Sequence, residues 1–177
     1  MTQRASSKVV RILLLLGRLA LAVVFLYAAY TKMRPVLPSI PWSVASIKTS
    51  LAMFGLQVDS YELLPASLVS AVAHLLPPFE LFLGLWLLSG FALRLSSTVT
   101  ALLIAGFLGV VVRTYMVGLK IHCGCFGGSE PVGPWEIIRD SLFVLLALAV
   151  MLGAFLTRRS HGAEVRAESQ PSPSGAD

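Results

Sequence analysis

Four long stretches of the chain are almost wholly apolar: residues 12–30, 66–88, 98–117 and 137–156. Each comes close to the ~20 residues needed to cross a hydrocarbon core roughly 30 Å thick. Inside lipid the backbone must satisfy its own hydrogen bonds, so these runs are expected to be helices. The polar segments between them differ in length. Ser89–Ser97 is a tight turn carrying Arg94, which predicts that the second and third spans are antiparallel neighbours. The connection 31–65 is the longest and holds Pro35, Pro38 and Pro41. Within it, Ile47, Leu51 and Phe54 recur at helical spacing, predicting a short helix on the membrane surface that Gly55 would end. The third connection, 118–134, is rich in glycine. From Ser160 onward Ser, Pro, Ala, Gly and Glu replace the apolar pattern, and a disordered cytoplasmic tail over 159–177 is expected. The expected fold class is therefore all-α. It is an integral membrane antiparallel four-helix bundle over 1–158, followed by a disordered C-terminal tail.

Composition agrees with the pattern. Hydrophobic residues make up 56% and charged ones 13%, against about 25% charged in an ordinary soluble domain. Mean hydropathy is +0.80. The basic start (Arg4, Lys8, Arg11) looks like the head of a signal peptide. The apolar run behind it exceeds the ~7–15 residues of a signal core and has no small-x-small cleavage site, so it reads as a retained span. The net charge of +5 matters less than its distribution. With the N-terminus inside, Arg4, Lys8, Arg11, Arg94, Arg158, Arg159 and Arg166 face the cytoplasm. Lys32, Arg34, Lys48, Arg113, Lys120 and Arg139 lie outside or at the outer edge. The slight bias puts both termini of this multi-pass cell-membrane protein inside. The third connection is then extracytoplasmic, where disulfides persist. The basic residues are scattered and no phosphate-cradling motif occurs, so nucleic acid is not an expected partner; the lipid bilayer is.

Candidate chemistry concentrates in that third connection. The two cysteines of the chain sit in Ile121-His122-Cys123-Gly124-Cys125-Phe126-Gly127-Gly128. Glycine allows the tight backbone that so small a ring demands. A bridge between such close neighbours is strained and easily reduced, which belongs with labile, catalytic disulfides. Lys120 and His122 would lower the thiol pKa if they stay near. Three readings remain open: thiol–disulfide exchange, a structural bridge in a non-enzymatic assembly scaffold, and soft-metal binding, copper before zinc. A structural bridge normally gains by closing a long loop, and this one closes almost none. A closed zinc site wants four ligands, and only His122 offers itself as a third.

Ionisable residues within spans are functional candidates. Arg18 and Glu80 are expected to pair, with Glu80 just beyond a Pro77-Pro78 break, and Arg113 is expected to pair with Asp140 beneath the cysteine loop. Both pairs also read as bundle glue. His74 is expected to donate to a neighbouring carbonyl. Tyr27, Tyr30, Trp42, Tyr115 and Trp135 fit an interfacial belt, whereas Trp86 sits too deep for it and should pack on a helix or lipid.

Several segments together resemble a known family. They are Phe25-Leu26-Tyr27-Ala28-Ala29-Tyr30-Thr31-Lys32, Tyr61-Glu62-Leu63-Leu64-Pro65, Leu76-Pro77-Pro78-Phe79-Glu80-Leu81, Gly118-Leu119-Lys120-Ile121 and Cys123-Gly124-Cys125-Phe126-Gly127. In this order, from residue 9 to about 157, they resemble the methylamine-utilisation MauE family, a branch of the DoxX-like membrane proteins. Two departures stand out: a longer, proline-rich first loop over 33–58, and His122 where an acidic residue is common. The resemblance implies four transmembrane helices and a part in maturing methylamine dehydrogenase. It also implies a thioredoxin-like extracytoplasmic partner. It points to Cys123 and Cys125 for thiol exchange, Glu80 in the second span and Lys32 after the first. With no further cysteine in the chain, a relay needs a second redox centre, such as a membrane quinone or a partner.

Overall fold

A computed structural model describes residues 2–37, 39–119, 121 and 132–168 of the chain. Among them are five helices and no strand: α1 (Thr2–Met33), α2 (Val44–Asp59), α3 (Ala66–Ser89), α4 (Leu93–Val117) and α5 (Pro134–Glu168). Four are long and apolar enough to cross a membrane, over Val9–Met33, Ala66–Ser89, Leu93–Val117 and Pro134–Leu156. The all-α four-span reading of the sequence agrees with this.

Local chemistry sets the helix ends. Ser43 and Ser46 form a reciprocal capping box that starts α2, satisfying two donors that a helix start would otherwise orphan. Gly90 ends α3 in the left-handed conformation at φ 69°. Gly118 does the same for α4 at φ 77°. Its N–H bonds to Tyr115 O and that of Leu119 to Thr114 O, the paired closure of a Schellman cap. Polar side chains inside α4 are absorbed locally. Ser96, Thr100 and Thr114 are buried, and each donates to a carbonyl one turn back.

The core joins all four spans through Leu21, Phe25, Leu83, Leu87, Ile104 and Val150. Small residues bring helices close, as membrane packing favours. A Cβ on Gly84 would lie 2.9 Å from Leu26 Cγ and 3.2 Å from Ala22 O, so α3 runs tight on α1. Gly17 meets Val150 and Gly153 meets Leu14, setting α5 against α1. At the same part of α5, Arg94 reaches Ala154 O and Phe155 O and lies 5.0 Å from the Phe155 ring.

Three expectations need correction. Pro77 and Pro78 do not break the second span: α3 is continuous through them, although each removes a backbone donor. Gly55 does not end α2, which runs on to Asp59. Its missing Cβ serves contact instead, since one would meet Ala73 at 3.4 Å. The helix α2 is held to the bundle. It packs on α3 and α1, buries Ser46, Ser50 and Phe54, and binds Arg34 O through Ser50. Finally, α3 and α4 are joined by the expected turn yet their bodies pack only sparsely; the extensive contacts are α1 with α3 and α4 with α5. Beyond these, α5 extends to Glu168, into the segment expected to lack order. An existing helix extends at little cost through residues such as Ala163, Glu164, Arg166 and Ala167.

Candidate functional site

Lys32 occupies the last turn of α1, and Glu80 lies midway along α3. Their side chains are 3% and 2% exposed. The Lys32 ammonium donates to both carboxylate oxygens, at 2.6 Å to Oε1 and 2.7 Å to Oε2. The rings of Phe54 and Phe107 lie 5.3 and 5.7 Å from the same nitrogen. An ammonium bound this way is compensated from two directions, by a fork of carboxylate oxygens and by two π-faces. Lys32 is thus a buried member of the bundle, not one of the outer loop charges.

This pairing replaces the expected one between Arg18 and Glu80. Arg18 lies fourteen residues before Lys32 on the same helix, roughly 21 Å along its axis. Its guanidinium sits beside Gly90, where a Cβ would stand 2.5 Å from Nη1, and its buried Nε lacks a partner among the described residues. The depth argument failed because the spans do not start level. The contact of Gly84 with Ala22 and Leu26 sets the antiparallel register of α1 and α3. In that register α1 ends near the height of Glu80, and the first half of α3 packs on α2, Ala73 facing Gly55.

Asp140, in the second turn of α5, lines one cavity of about 40 Å³ with Lys32, Glu80 and Phe107. It does not pair with Arg113. Its Oδ1 accepts from Arg139 Nε at 2.9 Å, and its buried Oδ2 has no partner among the described residues. Arg113 is exposed on α4, six residues beyond Phe107, or about 9 Å along the helix. The cavity has room for a water, which needs two or more polar neighbours. Glu80 and Asp140 supply them. The arrangement can hold a proton on either carboxylate or pass one between them, while the ammonium fixes Glu80 in place.

The cysteine loop is rooted at the same end of the bundle. Val132 N–H donates to Ile121 O at 2.8 Å, clipping the two sides of the loop together. Gly133 N–H donates to Glu136 Oε2 at 2.9 Å, so Glu136 caps the start of α5. Lys120, His122, Cys123 and Cys125 lie outside the described residues. Among the described residues, no group of three His, Cys, Asp or Glu side chains is placed to hold a metal ion. His74 Nδ1 meets Ser70 O at 2.8 Å on the outside of α3, as expected of a locally satisfied histidine. Trp86 packs on Phe82 and on the core, and Tyr30 stacks on Trp42.

A family model described as methylamine utilisation protein MauE matches residues 10–153. The chain belongs to the MauE family. It is thus a membrane protein of a family associated with methylamine utilisation. No curated protein and no solved structure matches the chain. Of the four residues that the MauE resemblance picks out, Lys32 and Glu80 prove to be direct partners. The aromatic walls Phe54 and Phe107 were not singled out as site residues. Phe54 had been noted only for helical spacing, and Phe107 has no mark in the sequence beyond lying in an apolar span.

Proposed function

We propose that this MauE-family protein supports thiol–disulfide exchange through Cys123 and Cys125. The partner would be a thioredoxin-like protein outside the membrane, in methylamine metabolism or a related pathway. The observation that carries the reading is the clip from Val132 N–H to Ile121 O. It roots the segment bearing the dithiol at the end of the bundle that buries Lys32 and Glu80. The Gly118 cap on one side and the Glu136 cap on the other support it, because both stems of the connection are held at this end of the bundle.

In the exchange a partner thiolate attacks one sulfur of the Cys123–Cys125 disulfide, and the other sulfur leaves as a thiolate. The partner's second thiol then attacks the mixed disulfide. The partner gains a disulfide, and Cys123 and Cys125 become two thiols, with two electrons and two protons transferred. The same steps run in reverse when the partner is the oxidant. Cys123, beside His122 and Lys120, is the sulfur favoured for exchange with the partner.

Cys125→Ser should trap a mixed disulfide on Cys123, visible as a dithiothreitol-sensitive adduct on a non-reducing gel. Cys123→Ser/Cys125→Ser should abolish maturation of the partner's target. If that double variant supports maturation as well as the wild type, the protein is a scaffold and the exchange reading fails.

A further inference from the structure

A groove of about 180 Å³ lies between α2, α3 and α4, where α3 and α4 pack only sparsely. Val72 and Leu76 of α3 face Val110 and Val111 of α4 across it, Phe54 and Phe107 form its walls, and Lys32 stands at its floor. Everything else that lines it is apolar apart from Gln57 and Tyr61. The site therefore suits a largely apolar molecule with a hydrogen-bond acceptor at the end that meets Lys32.

Charge narrows the choice further. Glu80 already binds the Lys32 ammonium through both oxygens. A fatty-acid carboxylate or a lipid phosphate would bring a second anion against Glu80 in a medium of low dielectric, where like charges repel strongly. A neutral carbonyl adds no charge. An ammonium has three donors, of which Glu80 takes two, so one N–H remains to meet a ring carbonyl. The Phe54 and Phe107 rings on either side of that nitrogen suit a planar ring that can stack or lie edge to face.

We propose that this groove binds a membrane-soluble quinone, its ring between Phe54 and Phe107, one carbonyl accepting from Lys32, and its chain leaving between α3 and α4. The assignment rests on the exchange reading for its purpose: a chain with two cysteines needs an external acceptor to restore its disulfide. The balance is complete, since two thiols and a quinone give a disulfide and a quinol, two electrons and two protons moving to the ring oxygens.

The test is binding of decylubiquinone to the purified full-length protein in phosphatidylcholine nanodiscs, with an azido derivative to map the contact. One saturable site is expected, labelled on α3, α4 or Phe54 and unaffected by equimolar oleate. Val72→Trp and Val110→Trp fill the groove from half-buried positions without touching the ion pair, and each should weaken binding at least tenfold while melting like the wild type. Lys32→Met/Glu80→Leu removes the donor together with its counter-charge and should weaken binding similarly. Unsaturable partitioning, displacement by oleate, label elsewhere, or wild-type affinity in both tryptophan variants would overturn the site. Cys123→Ser/Cys125→Ser should bind the quinone unchanged. Failure of exchange and failure of the groove are therefore read separately.

Discussion

Removing Glu80 alone should damage this protein more than removing Glu80 and Lys32 together. The ammonium lies 2.6 and 2.7 Å from the carboxylate oxygens, and both side chains are almost fully buried. At an effective dielectric of about 20, unit charges about 3 Å apart attract by about 5–6 kcal/mol. Withdrawing the two ions from water costs several kcal/mol each. The gross attraction and the desolvation nearly cancel, so the pair adds little net stability. Glu80→Leu cancels nothing, because it leaves a buried ammonium uncompensated at a cost of about 3–5 kcal/mol. Lys32→Met should cost a similar amount. Lys32→Met/Glu80→Leu should return to within about 2 kcal/mol of the wild type, or exceed it. The coupling energy would then be at least about 4 kcal/mol. Reversible unfolding in mixed micelles, followed by far-ultraviolet circular dichroism, measures all four members of the cycle. A double variant as unstable as the sum of the two single ones would refute the reasoning, since it would mean that the partners act independently.

Three further outcomes follow from other contacts. Gly84→Leu should lower stability by about 1–3 kcal/mol in the same unfolding assay, because the added side chain meets Leu26 and the Ala22 carbonyl. Asp140→Leu should raise stability by about 1–3 kcal/mol, since it removes a buried oxygen that has no partner among the described residues. It should also slow exchange measured with a reduced thioredoxin-like partner if Asp140 moves protons; a gain in both quantities would count against that role. His74→Phe should leave stability within about 0.5 kcal/mol of the wild type, because the ring is exposed and bonds only within its own helix.

Span number and approximate limits were legible because the apolar runs are long and their length is dictated by lipid thickness. Individual helix ends were less so. Gly55 signals termination by composition, but its role is to let α2 approach Ala73, a contact between helices that no local pattern announces. The partner of Glu80 was misread for a similar reason. Depth counted from the ends of apolar runs assumes that all spans begin at one level. Here α1 stops about level with Glu80 and α2 completes the bundle beside the first half of α3. Asp140 was legible as a buried acid in the last span, but its relation to Arg113 depended on how α4 and α5 slide past each other. That register is seen where Arg94 meets Ala154 and Phe155. The groove between α3 and α4 had no signature in the sequence, because a tight turn predicts neighbours and not the gap between them.

The central claim is that Cys123 and Cys125 form a labile, exchanging pair. A redox titration of these two residues in native membranes, read by thiol alkylation and mass shift, tests it most directly. A reversible two-electron transition above about −230 mV is the predicted result. A potential below roughly −300 mV, the range of structural bridges, would contradict it.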